Sequence, residues 1–220
     1  MTKERPILFS GAMVRAIQDG RKTQTRRVAT EFDGMDVDKV LARFPNQRGC
    51  PYGEPGDCLY VREAWRSTKE LDPYSGGRIA EMCLDAGYSV PWAPIHYEAD
   101  GQRRNWQDTS TPPHSSPPKP GRYRHARFMP RWACRLVLQI TAVRVERLND
   151  CSEADAIAEG IEPFTDFQSS GHWKRYRDGG CNSYVDNPIM SYASLWTEIN
   201  GAGAWEKNPW VWVVEFRRIA

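Results

Sequence analysis

No run of about eighteen apolar residues occurs in this 220-residue chain, so no transmembrane helix is expected. The opening Met-Thr-Lys-Glu-Arg-Pro carries none of the apolar stretch of a secretory signal, which points to the cytoplasm. Cys50, Cys58, Cys83, Cys134, Cys151 and Cys181 follow no CxxC spacing. They read as reduced thiols, most of them small core residues. Cys50, Cys58 and His96 or His114 match no standard zinc spacing, so no metal and no cofactor is expected. A net charge of +2 lacks the excess that announces a nucleic-acid binder.

The distribution of charge says more than its sum. Between Gly101 and Arg135 stand Arg103, Arg104, Lys119, Arg122, Arg124, Arg127, Arg131 and Arg135, against the single acid Asp108. Tyr123, Phe128 and Trp132 are interleaved with them. Arg122, Arg124, Arg127 and Arg131 can neutralise phosphates while the rings stack on bases. The other reading is a solvated loop leading into a strand with a basic outer face.

Local signals set out the elements. Pro6–Phe9 reads as a strand and Ala12–Asp19 as a helix, with Met13, Val14 and Ile17 on its buried face and Gly20 as its C-cap. From there side chains alternate, so Lys22, Gln24 and Arg26 face one way and Thr23, Thr25 and Arg27 the other. Twist and a bulge could still bring Lys22 and Thr25 into one cavity, a base beside a hydroxyl nucleophile. The same residues also suit simpler needs, since cations favour a helix C-terminus and threonine favours strands.

Residues 29–55 carry little periodicity and end in the turn cluster Gly53-Glu54-Pro55-Gly56-Asp57. Cys58–Trp65 reads as a strand in which Glu63 shares a face with Leu59 and Val61. A carboxylate there needs a partner, and the cations of the 21–27 segment, Arg26 among them, are candidates. Ser67–Pro120 is proline-dense and reads as an insertion with a mobile tip near 109–120, although Trp92, Tyr97 and Trp106 indicate some packing. Trp132–Leu148 is one long bent strand or a hairpin. Ser152–Asp155 is a capping box opening a short helix that Gly160 ends, with Glu159 at the C-terminus. The helix dipole disfavours an anion there by roughly 0.3–1 kcal/mol. Residues 161–187 are loop-rich. Asn187-Pro188 starts a helix with Tyr192, Leu195, Trp196 and Ile199 at core spacing, and Trp210–Phe216, apolar on both faces, is a central or barrel strand.

The expected fold is therefore α+β: a small β-barrel with short helices packed outside, one domain over 1–220, with insertions at about 66–127 and 161–187. Gly20, Lys22, Thr25 and Arg27 match the signature G-x-K-x-x-[E/T]-x-R. With the Pro55-Gly56-Asp57 turn, the 152–160 helix and the closing strand, the chain resembles ASCH-domain proteins of the PUA-like superfamily, phage and prophage types above all. The resemblance spans 5–65 and 128–218.

That resemblance implies an amidohydrolase acting on N4-acetylcytidine, with Lys22, Thr25 and Glu159 as the catalytic set. Lysine, its pKa lowered by desolvation, takes the threonine proton; the acyl group passes to Thr25; Glu159 protonates the leaving cytosine amine. Arg21 or Arg27 stabilises the oxyanion or holds a phosphate, and Glu63 joins the binding set. Two rival readings are a non-catalytic RNA or modified-base binding module and a ribonuclease; family members of the latter kind carry Glu where this chain has Thr25. A modified cytidine nucleoside or a nucleic acid is the expected partner.

Overall fold

The computed structural model describes residues 2–43, 49–106, 118–164, 171–176 and 184–220. Its strands are β1 (Glu4–Leu8), β2 (Gln24–Val28), β3 (Cys58–Arg62), β4 (Trp65–Arg66), β5 (Ile95–Tyr97), β6 (Arg103–Arg104), β7 (Val137–Arg147), β8 (Trp173–Lys174), β9 (Tyr184–Val185) and β10 (Trp210–Arg218). Its helices are α1 (Gly11–Gln18), α2 (Val37–Arg43), α3 (Gly76–Asp85), α4 (Glu153–Ala158) and α5 (Pro188–Asn200). The fold is mixed α+β, and among the described residues no sheet closes into a barrel. Contacts divide the chain into two compact units.

The first unit comprises Met1–Lys3, Ala16–Cys58 and Gln139–Arg218. Its strands lie in the order β7-β10-β2. β10 pairs antiparallel with β2, placing Val213 opposite Arg26, Val214 opposite Thr25 and Glu215 opposite Gln24. Both faces of β10 are covered, as its unbroken apolar run requires. Val211 and Val213 pack with Leu148, Ala156, Ile161, Tyr192 and Trp196 beneath α4 and α5. On the other face Trp212 meets Phe32 at 5.3 Å and donates its indole N–H to Glu31 at 2.6 Å.

Local chemistry starts and stops these elements where the sequence expects. The Ser152 hydroxyl accepts from the Asp155 amide, and the Asp155 carboxylate accepts from the Ser152 amide, closing the capping box of α4. Asn187 caps α5 by accepting from the Ile189 and Met190 amides. In α5 the buried face is Ser191, Tyr192 and Trp196, whereas Ile199 is 54% exposed. Three residues past Trp196 the helix has turned away from the core. Trp132–Leu148 resolves into the single strand β7 preceded and followed by short 3-10 turns.

The second unit comprises Glu4–Arg15, Leu59–Leu138 and Ile219–Ala220. Here β1, β3 and the first residues of β7 lie side by side. Most of the proline-dense 66–127 region belongs to a folded body with its own core. Trp65, Ile79, Ala93, Ile95, Tyr97, Met129 and Ala133 form that core, and the antiparallel sheet β4-β5-β6 covers it. The expected mobile tip falls mainly on 107–117, outside the described residues.

Candidate functional site

The chain leaves α1 through Gly20, whose φ of 73° is the left-handed turn that only glycine adopts without strain. The Arg21 and Lys22 amides both donate to the Ala16 carbonyl at 2.9 Å, and the Thr23 amide donates to the Ala158 carbonyl at 2.9 Å. Lys22 is thereby held between the end of α1 and the end of α4 before its side chain makes any contact.

From that anchored position the alternation continues, and Lys22, Gln24 and Arg26 all reach toward α4. Lys22 Nζ donates to Glu159 Oε2 at 2.9 Å and to the Glu159 carbonyl at 2.9 Å. Gln24 donates to the Asp155 carbonyl at 2.9 Å. Arg26 donates from Nη1 to Glu159 Oε1 at 3.2 Å and from Nη2 to Glu146 Oε1 at 2.6 Å, with Asp155 Oδ2 at 3.4 Å. Arg144 closes the array, bonding Glu146 at 2.9 Å, Asp155 at 2.6 Å, and Glu215. Lys22 is 2% exposed and Glu159 5%.

Three cations and four carboxylates thus form one array, with Lys22, Arg26 and Glu159 buried and Arg144 and Glu215 at its half-exposed rim. Burial lowers the proton affinity of Lys22 below its ordinary 10.5; Glu159 opposes that, while Arg27 and Arg26 reinforce it. Burial also disfavours the charge on Arg26, but Glu159 and Glu146 more than compensate and its pKa rises. Asp155 is pushed up by burial yet ends at about 2, because the Ser152 hydroxyl and the Arg26 and Arg144 guanidinium groups favour its anion. Tyr192, buried under Arg26 with the guanidinium 5.8 Å from its ring, is held well above its usual value by desolvation.

The structure brings Lys22 and Glu159 together and sets Thr25 on the other face of β2. Thr25 lies opposite Val214, and side chains of paired residues share a face. Arg27, paired with Trp212, is on that same far face. Arg21 donates to the Gly160 carbonyl at 3.1 Å and to Asp19 at 3.0 Å, adjacent to the pair through its backbone neighbour.

The remaining sequence candidates belong to the second unit. Glu63 accepts a bidentate pair of bonds from Arg135, both at 2.8 Å. The 21–27 cations are not its partners, and Arg26 instead serves Glu146 and Glu159. Arg124 is 6% exposed and donates to the Tyr74 and Leu71 carbonyls at 2.8 and 2.7 Å. Arg131 is bidentate on Glu4 at 2.8 and 3.0 Å. Of the four-arginine strip only Arg122 and Arg127 are exposed without such an ion pair or burial. The strip is divided because Arg124 faces the core and Arg131 meets an acid far away in sequence.

Arg26, Glu146, Asp155 and Arg144 are site residues that the sequence reading did not select. A signal was present. Asp155 and Glu159 stand four apart on one helix face, matching cations also four residues apart on one face of the alternating segment at Lys22 and Arg26. Among the described residues no three His, Cys, Asp or Glu side chains are placed to hold a metal ion; His114 lies outside them. The five described cysteines form no disulfide. No described helix is long and apolar enough to cross a membrane. Compared with known proteins, the chain matches no family model, no curated protein and no solved structure.

Proposed function

We propose that the chain is an ASCH-type amide hydrolase that removes an acyl group from the N4 amine of cytidine-type nucleosides, with Lys22 and Glu159 moving the proton. The observation that carries this reading is the 2.9 Å contact between Lys22 Nζ and Glu159 Oε2, two residues 137 positions apart, in a buried site. A lysine whose charge is disfavoured by burial passes its proton to the adjacent carboxylate more readily than one in water; the carboxylic acid then protonates the leaving amine, and the neutral lysine takes the proton of the attacking water, which restores both charges. Arg26 fixes the second carboxylate oxygen, so the acid is oriented as well as charged. The strand alternation favours a water on the Lys22 side as the attacking group, since Thr25 projects from the opposite face. On fold, the reading takes the chain as an elaborated PUA-like core. The order of motif strand, late helix and closing strand supports it.

A second reading is favoured by one specific feature. Glu159 is bonded by both Lys22 and Arg26 and is almost fully buried, as in a clamp that ties α4 to β2. In that case the chain is a non-catalytic module for RNA or a modified base.

Incubation of the purified protein with N4-acetylcytidine decides between them. Release of cytidine that is abolished by Lys22→Ala supports the hydrolase, and Thr25→Ala then reports the nucleophile: turnover persists if water attacks. Absence of cytidine from the folded wild-type protein refutes hydrolysis of this substrate.

A further inference from the structure

In the second unit, the three-stranded sheet β4-β5-β6 buries one face and presents the other. Trp65, Ile95 and Tyr97 point into the core. The register places Arg66 opposite His96, and His96 opposite Arg103, so these three form one row across the outer face. An aromatic ring stands at each end of the row. Arg66 lies over the Tyr123 ring at 5.7 Å, and Arg103 over the Trp106 ring at 4.9 Å. The row is built rather than incidental. Arg66 donates to Glu98 at 2.6 Å and to the Gly121 carbonyl at 3.0 Å; Trp106 donates its indole N–H to the Pro118 carbonyl at 3.2 Å. His96 meets Trp106 edge-on at 6.0 Å and accepts from Arg103 at 3.4 Å. Tyr123 is 52% exposed.

We propose that this outer sheet face binds single-stranded nucleic acid, with Tyr123 and Trp106 stacking on bases and Arg66 and Arg103 contacting phosphates. The proposal does not depend on the hydrolase reading, because every residue in it lies in the second unit and none belongs to the Lys22–Glu159 array. Rings paired with guanidinium groups supply the two things an unpaired strand offers, a π-face and a charged backbone. Strands in a sheet lie about 4.8 Å apart, so Arg66 and Arg103, two strands apart, are separated enough to meet different phosphates. Among the described residues Glu98 is the one acid bonded into the row; it holds Arg66 and stands 3.8 Å from His96. A single carboxylate against two arginines leaves the face positive. An acidic peptide would satisfy the charges and leave the rings without a role, which is why a nucleic acid is favoured over it.

The test is fluorescence anisotropy of a labelled oligo-dT and oligo-U of about 12 nucleotides, in the range of single-strand site sizes, titrated with the full chain at several salt concentrations. Binding is expected with a log–log salt slope near −1.4, from about −0.7 per single-strand phosphate contact. Arg103→Glu should make the slope shallower by about 0.7. Tyr123→Ala should weaken binding about tenfold at constant slope, the size of a lost base stack. Both positions are exposed, so both variants should keep the wild-type melting temperature, and that is checked alongside. No binding at low salt overturns the proposal. So does binding that neither variant changes, and so does equal affinity for a polyglutamate of matched charge.

Discussion

Glu159→Gln is the perturbation on which the site turns. In water the change would relieve an anion at a helix C-terminus, a gain of roughly 0.3–1 kcal/mol. In the structure the same carboxylate is the charged partner of Lys22, whose side chain is 1% exposed. Arg26 keeps Glu146 at 2.6 Å after the change, but Lys22 retains from this contact only the neutral carbonyl of residue 159. Leaving a buried charge uncompensated costs about 3–5 kcal/mol, several times the dipole term, so the variant should be destabilised. The deficit also has a predicted pH dependence. Burial depresses the Lys22 pKa below 10.5, so between the depressed and the ordinary value the unfolded chain binds more protons. Stability therefore rises with pH across that window and is lost as pH falls through the folded value. Removing Glu159 lowers the folded value further, so the deficit should be largest below the variant's folded value and shrink as pH rises toward 10.5. Urea melts of wild type and variant across that range measure it. The double variant Lys22→Met with Glu159→Gln should recover most of the loss, since no buried ammonium remains. A Glu159→Gln protein as stable as wild type, or a deficit independent of pH, would refute the assignment of Lys22 as a buried charge held by Glu159.

Gly160→Ala should cost stability and disturb Lys22 together. Gly160 has φ +84°, and an added Cβ would lie 2.7 Å from Lys22 Cβ and 3.0 Å from Ala16 Cβ. A loss of about 1–3 kcal/mol is expected, read by thermal melting; an unchanged melting temperature counts against the packing described. Asp155, held at about 2 against an ordinary 3.8, contributes stability that is present above 3.8 and lost as pH falls toward 2. Asp155→Asn should therefore flatten that part of the acid-unfolding curve, and an unaltered acid limb would show that the carboxylate is not so held. Ser152→Ala removes the α4 cap and should cost about 1 kcal/mol, measured by urea denaturation, with a value near zero arguing that the capping box contributes nothing.

Much of the first unit was legible because its signals are local. Gly20 stops α1, Ser152 and Asn187 open α4 and α5, and an apolar run covered on both sides makes β10 an interior strand; each depends on residues within one turn or one strand. The alternation of Lys22, Gln24 and Arg26 was equally legible. Residues 66–127 were legible only in part: Trp92, Tyr97 and Trp106 signalled packing, and of the described prolines Pro94 stands just before β5 and Pro73 shortly before α3, where neither interrupts a ladder. The core they enclose depends on Trp65, Met129 and Ala133 meeting from distant segments.

By itself the sequence determined α1, α4, α5, β2 and β10 and the face on which Lys22 and Arg26 stand, since backbone dihedral preferences and side-chain period are properties of neighbouring residues. Only the tertiary structure decided which acid each cation meets. Lys22 finds Glu159 across 137 residues, Arg26 finds Glu146 across 120, and Arg135 takes Glu63 across 72. Such pairs are chosen by burial: a charge removed from water accepts whichever opposite charge the packing of strands and helices brings within about 3 Å, and nothing in the local chain encodes that choice.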